Sequence, residues 1–221
     1  RLFFHVLFLQ WHYAKKPISS AGVQAREFMT YETAYRAFIE LGQELYTFCE
    51  KIEVAGSVRR ALITPSMQER EVKDVEIVAL PLTENSGLFD DAPVRSKGFC
   101  DVLKSNVSIL QGDINTGRYL KLLYQKDIKI DLFLPEKYDF YRQFAIRTGS
   151  AEFAKNVLAS GWRKLGWVGT KDGLRREAEC KPEEKVWTCK AKKPTLPPVW
   201  NSEKEFFDWL GIEYVEPHNR G

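Results

Sequence analysis

The first well-patterned part of the chain distributes its apolar residues with the period of an α-helix. Six apolar residues recur there at spacings of three and four: Ala34, Ala37, Phe38, Leu41, Leu45 and Phe48. Residues at this spacing share one face of a helix. Thr30 or Thr33 can cap the first turn. The pattern therefore predicts a helix that runs to about Lys51 and covers a sheet with its apolar face.

Shorter stretches downstream have the β-branched composition of strands and end at residues that interrupt strands. The first, at 52–55, ends at a Gly-Ser pair that opens a turn into a helix. Two more, at 72–80 and 128–134, each end at a proline. Between these two, the pattern predicts a polar linker, a helix and a further strand, at residues 83–91, 96–110 and 117–124.

The first residues of the chain, RLFFHVLFLQWH, are strongly apolar. They are far fewer than the roughly 20 residues that a membrane-spanning helix requires, so we expect no membrane span here. His5 and Gln10 interrupt the run, whereas the apolar region of a secretory signal is continuous. We therefore leave residues 1–28 as an unassigned N-terminal extension and expect the functional domain to begin near Met29.

The composition is that of a folded chain with a small net charge. Of 221 residues, 44% are hydrophobic, and 14 Phe, 9 Tyr and 6 Trp supply enough apolar surface for a core, which excludes a wholly disordered protein. Residues 155–193 contain eleven Lys or Arg and five Asp or Glu, which gives this segment a net charge of +6. The whole chain has a net charge of only +3. Trp162, Trp167 and Trp187 stand among those bases, where they either stack on nucleic acid or fill a small core.

Four cysteines in a chain of this length do not indicate a disulfide framework. Cys180 and Cys189 flank the turn-like stretch KPEEK, so a hairpin would bring them face to face. We expect two reduced thiols in that hairpin, with a disulfide or a metal clip as the alternative.

Acidic residues mark the two middle strands. Asp74 and Glu76 are two positions apart, so both carboxylates project from one face of a strand. In the strand at 128–134, isoleucines and leucines take one face and leave Asp131 on the other. If these strands are neighbours, three carboxylates converge and need a hard cation such as Mg²⁺ or Mn²⁺. The alternative is a solvated strand face with Asp131 in a separate salt bridge.

A Gly-Ser pair followed by two arginines stands at the end of the strand at 52–55. Gly56 lets the backbone approach an anion, and the amides from Ser57 onward can donate hydrogen bonds to phosphate oxygens. Arg59 and Arg60 add forked cationic donors suited to a triphosphate. Together with the acidic strands, this pattern indicates nucleotide chemistry.

Five stretches occur in the order in which family X DNA polymerases of the DNA polymerase beta type carry them: VAGSVRR, KDVEIVALP, KIDLFLP, RTGSAEFAKN and EKEFFDWLGIEYVEPHNR. The chain resembles this family over roughly residues 33–220, and especially its compact members without a lyase domain from phages and bacteria. The resemblance implies an α+β fold. Residues 29–138 would form a nucleotidyltransferase palm, a mixed β-sheet with helices on one face, and residues 139–221 a small C-terminal α/β thumb or fingers subdomain that binds nucleotide and template.

The resemblance also implies which residues act. Asp74, Glu76 and Asp131 match the catalytic carboxylates that hold two divalent cations, Mg²⁺ or Mn²⁺, and Asp131 is the candidate that activates the primer hydroxyl. The residues expected to bind the nucleotide are Gly56, Ser57, Arg59, Arg60, Thr148, Gly149 and Ser150. Those expected to contact DNA are Arg147, Lys155 and Asn156.

The chain departs from the family pattern at several positions, and two of these departures concern the metals and the sugar. Glu76 stands where the family usually has Asp, which leaves the metal preference open. Ile146-Arg147 replaces the aromatic pair that usually screens the sugar, so selectivity for deoxyribose does not follow from the resemblance.

The expected activity is that of a DNA polymerase that fills gaps or extends primer ends with (d)NTPs. We expect an intracellular monomer with DNA as its partner and no membrane, cytoplasmic if the chain is bacterial or from a phage. Two alternatives stay open. The same chemistry can use another acceptor, such as an RNA end, a protein or a small molecule, or the chain can be a polymerase-fold subunit without catalysis.

Overall fold

A computed structural model of the protein describes residues 27–85, 93–183 and 186–221. Most of the N-terminal extension expected at 1–28 therefore lies outside the described residues. Met29 is buried, and its backbone N–H and C=O form a two-way bridge with Val72, at 2.8 and 2.7 Å. The start of the described chain is thus tied to the segment that leads into the acidic strand.

The first helix, α1, spans Tyr31–Leu45 and begins where the sequence predicts. The side chain of Thr30 accepts a hydrogen bond from the N–H of Thr33 at 3.2 Å. The expected end at Lys51 is wrong. A 3₁₀ turn at Tyr46–Phe48 follows, and then strand β1 at Cys49–Val54, because the backbone of this stretch pairs with a neighbouring strand instead of continuing the helix.

The region that follows contains three helices and most of the strands. Their bounds are α2 at Gly56–Ala61, α3 at Pro65–Gln68, β2 at Val75–Pro81, β3 at Thr83–Asn85, β4 at Pro93–Arg95, α4 at Lys97–Asn106, β5 at Val107–Gln111, β6 at Tyr119–Tyr124 and β7 at Ile128–Phe133. The two acidic strands and the further strand near 117–124 are confirmed.

Two expectations in this region need correction. The helix expected to reach residue 110 ends at Asn106, because Val107–Gln111 pairs with β6 as an edge strand. Part of the linker expected at 83–91 is strand β3, which pairs with β4. In both places, pairing with the next strand along the chain overrides the local pattern.

The central sheet has the order β1-β2-β7-β6-β5. Only β2 and β7 are parallel among these neighbours, and the other pairs are antiparallel, so the expected mixed sheet is confirmed. One face of the sheet packs on α1 and α4 through a core that includes Leu41, Ile77, Leu103 and Leu132. Phe140 and Phe144 of the following segment cover part of the opposite face. Glu76 and Asp131 lie on the remainder of that face.

The chain after β7 forms a helical stretch and a second sheet. Its helices are α5 at Phe140–Thr148, α6 at Ala151–Phe153, α7 at Ser160–Lys164 and α8 at Glu203–Leu210, with a π-helical segment at Ala154–Ala159 between α6 and α7. Its strands are β8 at Trp167–Thr170, β9 at Gly173–Arg176, β10 at Cys180–Glu183 and β11 at Val186–Cys189, in the order β10-β11-β8-β9.

Helix α5 joins the two sheets. Its Phe140 and Phe144 pack on Val78 and Phe133 of the central sheet, whereas its Ala145 belongs to the core of the C-terminal part. Trp162 and Trp167 are buried in that second core, so for these two residues the structural interpretation is confirmed. Trp187 is only half-buried, and the guanidinium of Arg163 lies 5.6 Å from its ring centre.

The expected cysteine hairpin is also present. Cys180 and Cys189 are direct partners on β10 and β11, and both are free thiols. Burial, together with the neighbouring Cys189, raises the pKa of Cys180 to about 11, so this thiol stays protonated at neutral pH. In the described ranges, no helix is long and apolar enough to cross a membrane.

Candidate active site

The parallel pair β2 and β7 brings the acidic residues together. Glu76 on β2 and Asp131 on β7 are direct partners in the register, so both side chains leave the sheet on the same face. Asp74 immediately precedes β2 and lies two positions before Glu76, which places it on that face as well. The two acidic strands are thus neighbours, which is the condition under which the sequence lets the three carboxylates converge.

Burial and mutual repulsion set the charge state of this acidic face. Burial, followed by the charge of Asp74, raises the pKa of Glu76 to about 7, against a lowering effect of Arg147. Burial, followed by the charge of Asp131, also raises the pKa of Asp74. A cation bound between these groups would relieve both effects.

The donor set fits a hard divalent cation, since carboxylate oxygens are the ligands that Mg²⁺ and Mn²⁺ prefer. Within 27–85, 93–183 and 186–221, however, no group of three or more His, Cys, Asp or Glu side chains is already arranged around a common point. The metal site at Asp74, Glu76 and Asp131 therefore stays a prediction.

Gly56 lies directly against Glu76, and both its backbone angle and its contacts require a glycine. Its φ is +63°, and a Cβ added to it would lie 2.1 Å from Oε2 of Glu76. The N–H of Ala55 donates to the C=O of Glu76 at 2.8 Å, which holds the start of α2 against β2. Ser57 is the next residue and is exposed. The Gly-Ser pair thus borders the acidic face.

The two arginines of α2 reach the last residue of α5. Arg59 donates to Oγ1 of Thr148 at 2.5 Å, and Arg60 donates to the C=O of Thr148 at 2.8 Å. Arg59 also binds both carboxylate oxygens of Glu203, at 3.1 and 2.7 Å. The structure therefore joins the Gly-Ser segment to Thr148, although these donors of Arg59 are engaged within the protein and its contact with phosphate stays a prediction.

Gly149 and Ser150 complete the turn after α5. The side chain of Ser150 accepts a hydrogen bond from the N–H of Phe153 at 3.1 Å and so caps α6. The N–H of Ser150 donates to the C=O of Arg220 at 2.9 Å. This turn is therefore held on both sides, which gives Thr148-Gly149-Ser150 a defined position.

The predicted DNA-contacting residues fall in two places. Arg147 lies in the acidic cleft, with its guanidinium 3.9 Å from the ring centre of Phe133, and its buried Nε has no hydrogen-bond partner. Lys155 and Asn156 are exposed on the π-helical segment, and the described residues that line the cleft do not include them.

A cleft of about 500 Å³ runs from the acidic face to the C-terminal sheet. Five of its lining residues come from the central sheet or from the end of α5: Glu76, Tyr119, Asp131, Phe133 and Arg147. The turn after β8 contributes Lys171, the start of β9 contributes Gly173, and the start of α5 contributes Gln143. The cleft thus lies where both parts of the chain meet.

Tyr119 also lies on the acidic face, although no sequence motif includes it as a site residue. Its hydroxyl donates to Oδ1 of Asp131 at 2.8 Å, and its ring stacks on Phe133 with ring centres 5.1 Å apart. Burial, followed by the hydrogen bond to Asp131, raises the pKa of Tyr119 to about 12. Strand alternation would place Tyr119 on the acidic face once the pairing of β6 and β7 is known, but the sequence does not give that pairing.

Residues 144–221 match the family model described as the DNA polymerase beta thumb. This part of the chain, from the end of α5 onward, is therefore similar to the thumb domain of DNA polymerase beta, and the match supports a relationship to the family X polymerases. No curated protein matches the chain. The acidic strands lie before the matched residues, so the match does not test the catalytic role expected of their carboxylates.

Proposed function

We propose that the protein is a metal-dependent DNA polymerase of the family X type, which transfers a nucleoside monophosphate from a (d)NTP to a primer 3′-hydroxyl. The observation that carries this proposal is the register of β2 and β7, which sets Glu76 beside Asp131 on one face of the sheet, with Asp74 next to them. The thumb-like segment at 144–221 supplies the second support.

The carboxylates have distinct tasks in this proposal. Asp74 and Glu76 would hold the nucleotide side of the site, and a carboxylate oxygen of Asp131 would accept the proton of the attacking hydroxyl. Divalent cations bound by the three residues would supply charge neutralisation for the attacking oxygen and the leaving pyrophosphate. Burial favours this chemistry, because electrostatic interactions are stronger where water is excluded.

The triphosphate of the nucleotide would lie beside the acidic face, towards the start of α2 and the turn after α5. Gly56 and the exposed Ser57 border Glu76, and Arg60 lies between Glu76 and Thr148. Burial lowers the pKa of Arg60, and the negative charge of Glu76 opposes this lowering. The guanidinium therefore lies close to the acidic face. Arg59 would act indirectly, by holding Thr148.

DNA would bind the basic C-terminal part of the chain. Lys155 and Asn156 are exposed on one segment, and Arg163, Lys164 and Arg176 are exposed nearby in sequence. Exposed Lys and Arg bind phosphates without regard to sequence, which suits a polymerase that acts on any gap or primer end. We infer that the chain acts as a monomer inside the cell.

Primer extension on gapped DNA tests the proposal, with Mg²⁺ or Mn²⁺ and with dNTPs compared with NTPs. We expect extension by the parent chain and a loss of about 10³-fold or more in Asp131→Asn, since a residue of the reacting centre is removed. Asp101→Asn is the matched control, because Asp101 is exposed on α4. No extension by the parent chain with either metal would defeat the proposal, and equal extension by Asp131→Asn would defeat the site.

A further inference from the structure

The hydroxyl of Tyr119 makes a specific contact with the acidic face. It donates to Oδ1 of Asp131 at 2.8 Å. The two residues are not direct partners: Tyr119 is opposite Phe133 in the register of β6 and β7, and Lys121 is opposite Asp131. The tyrosine therefore reaches diagonally along the sheet to one oxygen of the carboxylate.

The ring of Tyr119 is held in place by its neighbours. It stacks on Phe133, with an angle of 29° between the ring planes. The guanidinium of Arg147 also packs on Phe133, at 3.9 Å from its centre. Phe133 belongs to the cluster that packs α5 on the sheet. The hydroxyl is thus presented from a ring that is packed on Phe133.

A hydrogen bond to one oxygen of a carboxylate has two consequences for the other oxygen. It fixes the plane of the carboxylate, and it leaves the other oxygen with both of its lone pairs to bind a cation or accept a proton. Partners of this kind behind metal-binding side chains contribute substantially, and their removal typically weakens metal affinity or activity by about 10–100-fold.

We propose that Tyr119 is a positioning residue for Asp131: its hydroxyl orients the carboxylate so that Oδ2 points to the divalent cations and to the attacking hydroxyl. This inference rests on the proposed function, in which Asp131 is a metal ligand. Tyr119 itself contacts neither the substrate nor a cation in this role.

Tyr119→Phe removes only the hydroxyl and keeps the stacked ring. Strand β6 also offers a matched control. Tyr124 is at the other end of the strand, is buried on the opposite face, and donates from its hydroxyl to Oε2 of Glu40 at 3.0 Å. Tyr124→Phe therefore removes the same kind of hydrogen bond, from the same strand, away from the acidic face.

The experiment measures Mn²⁺ affinity without substrate, by the paramagnetic resonance signal of free Mn²⁺, together with kcat and KM in primer extension. We expect Tyr119→Phe to weaken Mn²⁺ binding about tenfold and to lower kcat by a similar factor, with the KM for the nucleotide unchanged. Tyr124→Phe should equal the parent chain in all three quantities.

Mn²⁺ affinity in Tyr119→Phe equal to that of the parent would overturn the inference, as would an equal loss in Tyr124→Phe, which would indicate a general structural effect. The metal measurement does not depend on the acceptor. A parent chain that binds Mn²⁺ but fails to extend primers, with binding weakened in Tyr119→Phe alone, would support the positioning role and defeat the polymerase proposal.

Discussion

The guanidinium of Arg59 and the carboxylate of Glu203 form two hydrogen bonds, of 3.1 and 2.7 Å, between α2 and the first turn of α8. Both side chains are largely buried, with exposed fractions of 13% and 6%. Arg220 and Tyr214 donate to the same carboxylate, at 2.7 and 3.1 Å. One carboxylate thus connects the helix after the Gly-Ser pair to the C-terminal part of the chain.

Replacement of this carboxylate should destabilise the fold strongly. Glu203→Gln keeps the shape of the side chain but leaves Arg59 and Arg220 as buried cations without a counter-charge. Breaking a buried ion pair in this way typically lowers the free energy of unfolding by about 3–5 kcal/mol. Urea denaturation at pH 7 measures the change.

Asp208→Asn is the control on the same helix. Asp208 pairs with Lys204 at 2.7 Å, but both side chains are more than half exposed, so we expect a loss of about 1 kcal/mol or less. Equal effects of the two substitutions would contradict the view that Glu203 is the main connection.

The same carboxylate should make stability sensitive to acid. Burial alone would raise the pKa of Glu203, but hydrogen bonds and charges from Arg59 and Arg220 outweigh it and hold that pKa below its usual value. The stabilisation is therefore complete above the unfolded-state pKa of about 4.3 and is lost as the pH falls below it. The difference in stability between the parent and Glu203→Gln should narrow from pH 7 to pH 3.5, and a constant difference would contradict this account.

Glu76 should show the opposite dependence. Its pKa is raised by burial first, to about 7, so the folded state binds a proton that the unfolded state releases between about pH 4.3 and pH 7. The ionised form therefore destabilises the fold above pH 7, and the penalty disappears as the pH falls. Without divalent cations, Glu76→Gln should be more stable than the parent by about 1–2 kcal/mol at pH 8, and by less at pH 5.5.

Thermal unfolding with a chelator measures this difference at both pH values. Added Mn²⁺ should stabilise the parent at pH 8 and narrow the difference, because it binds the ionised carboxylates of the folded state. A Glu76→Gln protein that is less stable than the parent at pH 8 would show that the ionised group is well compensated without metal.

Gly56→Ala should disturb the fold and the acidic face together. A φ of +63° is strained for alanine, and the added Cβ would displace the carboxylate of Glu76. We expect a loss of about 1–2 kcal/mol in the free energy of unfolding and a loss of primer extension. Gly169→Ala is the control, because no atom lies within 4 Å of its added Cβ. Its stability should stay within about 0.5 kcal/mol of the parent, and the prediction fails if the two variants behave alike.

Local patterns in the sequence predict the position of much of the candidate site. The two-residue period of a strand places Asp74 and Glu76 on one face wherever that strand lies, and the apolar residues around Asp131 leave it on the opposite side of its own strand. The cap at Thr30 and the Cys180–Cys189 hairpin are also local, since each depends on residues close in sequence. Such features follow from backbone geometry and side-chain type alone.

The remaining features depend on which segments become neighbours. The end of α1 at Leu45 and the strand at Val107–Gln111 are decided by hydrogen bonds to other strands, which outweigh helical propensity. Glu76 meets Asp131 only through the parallel register of β2 and β7, and Tyr119 meets Asp131 only because β6 lies on the far side of β7. The sequence predicts Arg59 as a phosphate ligand, yet in the fold Arg59 binds Glu203, 144 positions away. A buried charged side chain pairs with the partner that lies beside it once water is excluded. The packing of the whole chain determines which residue that partner is.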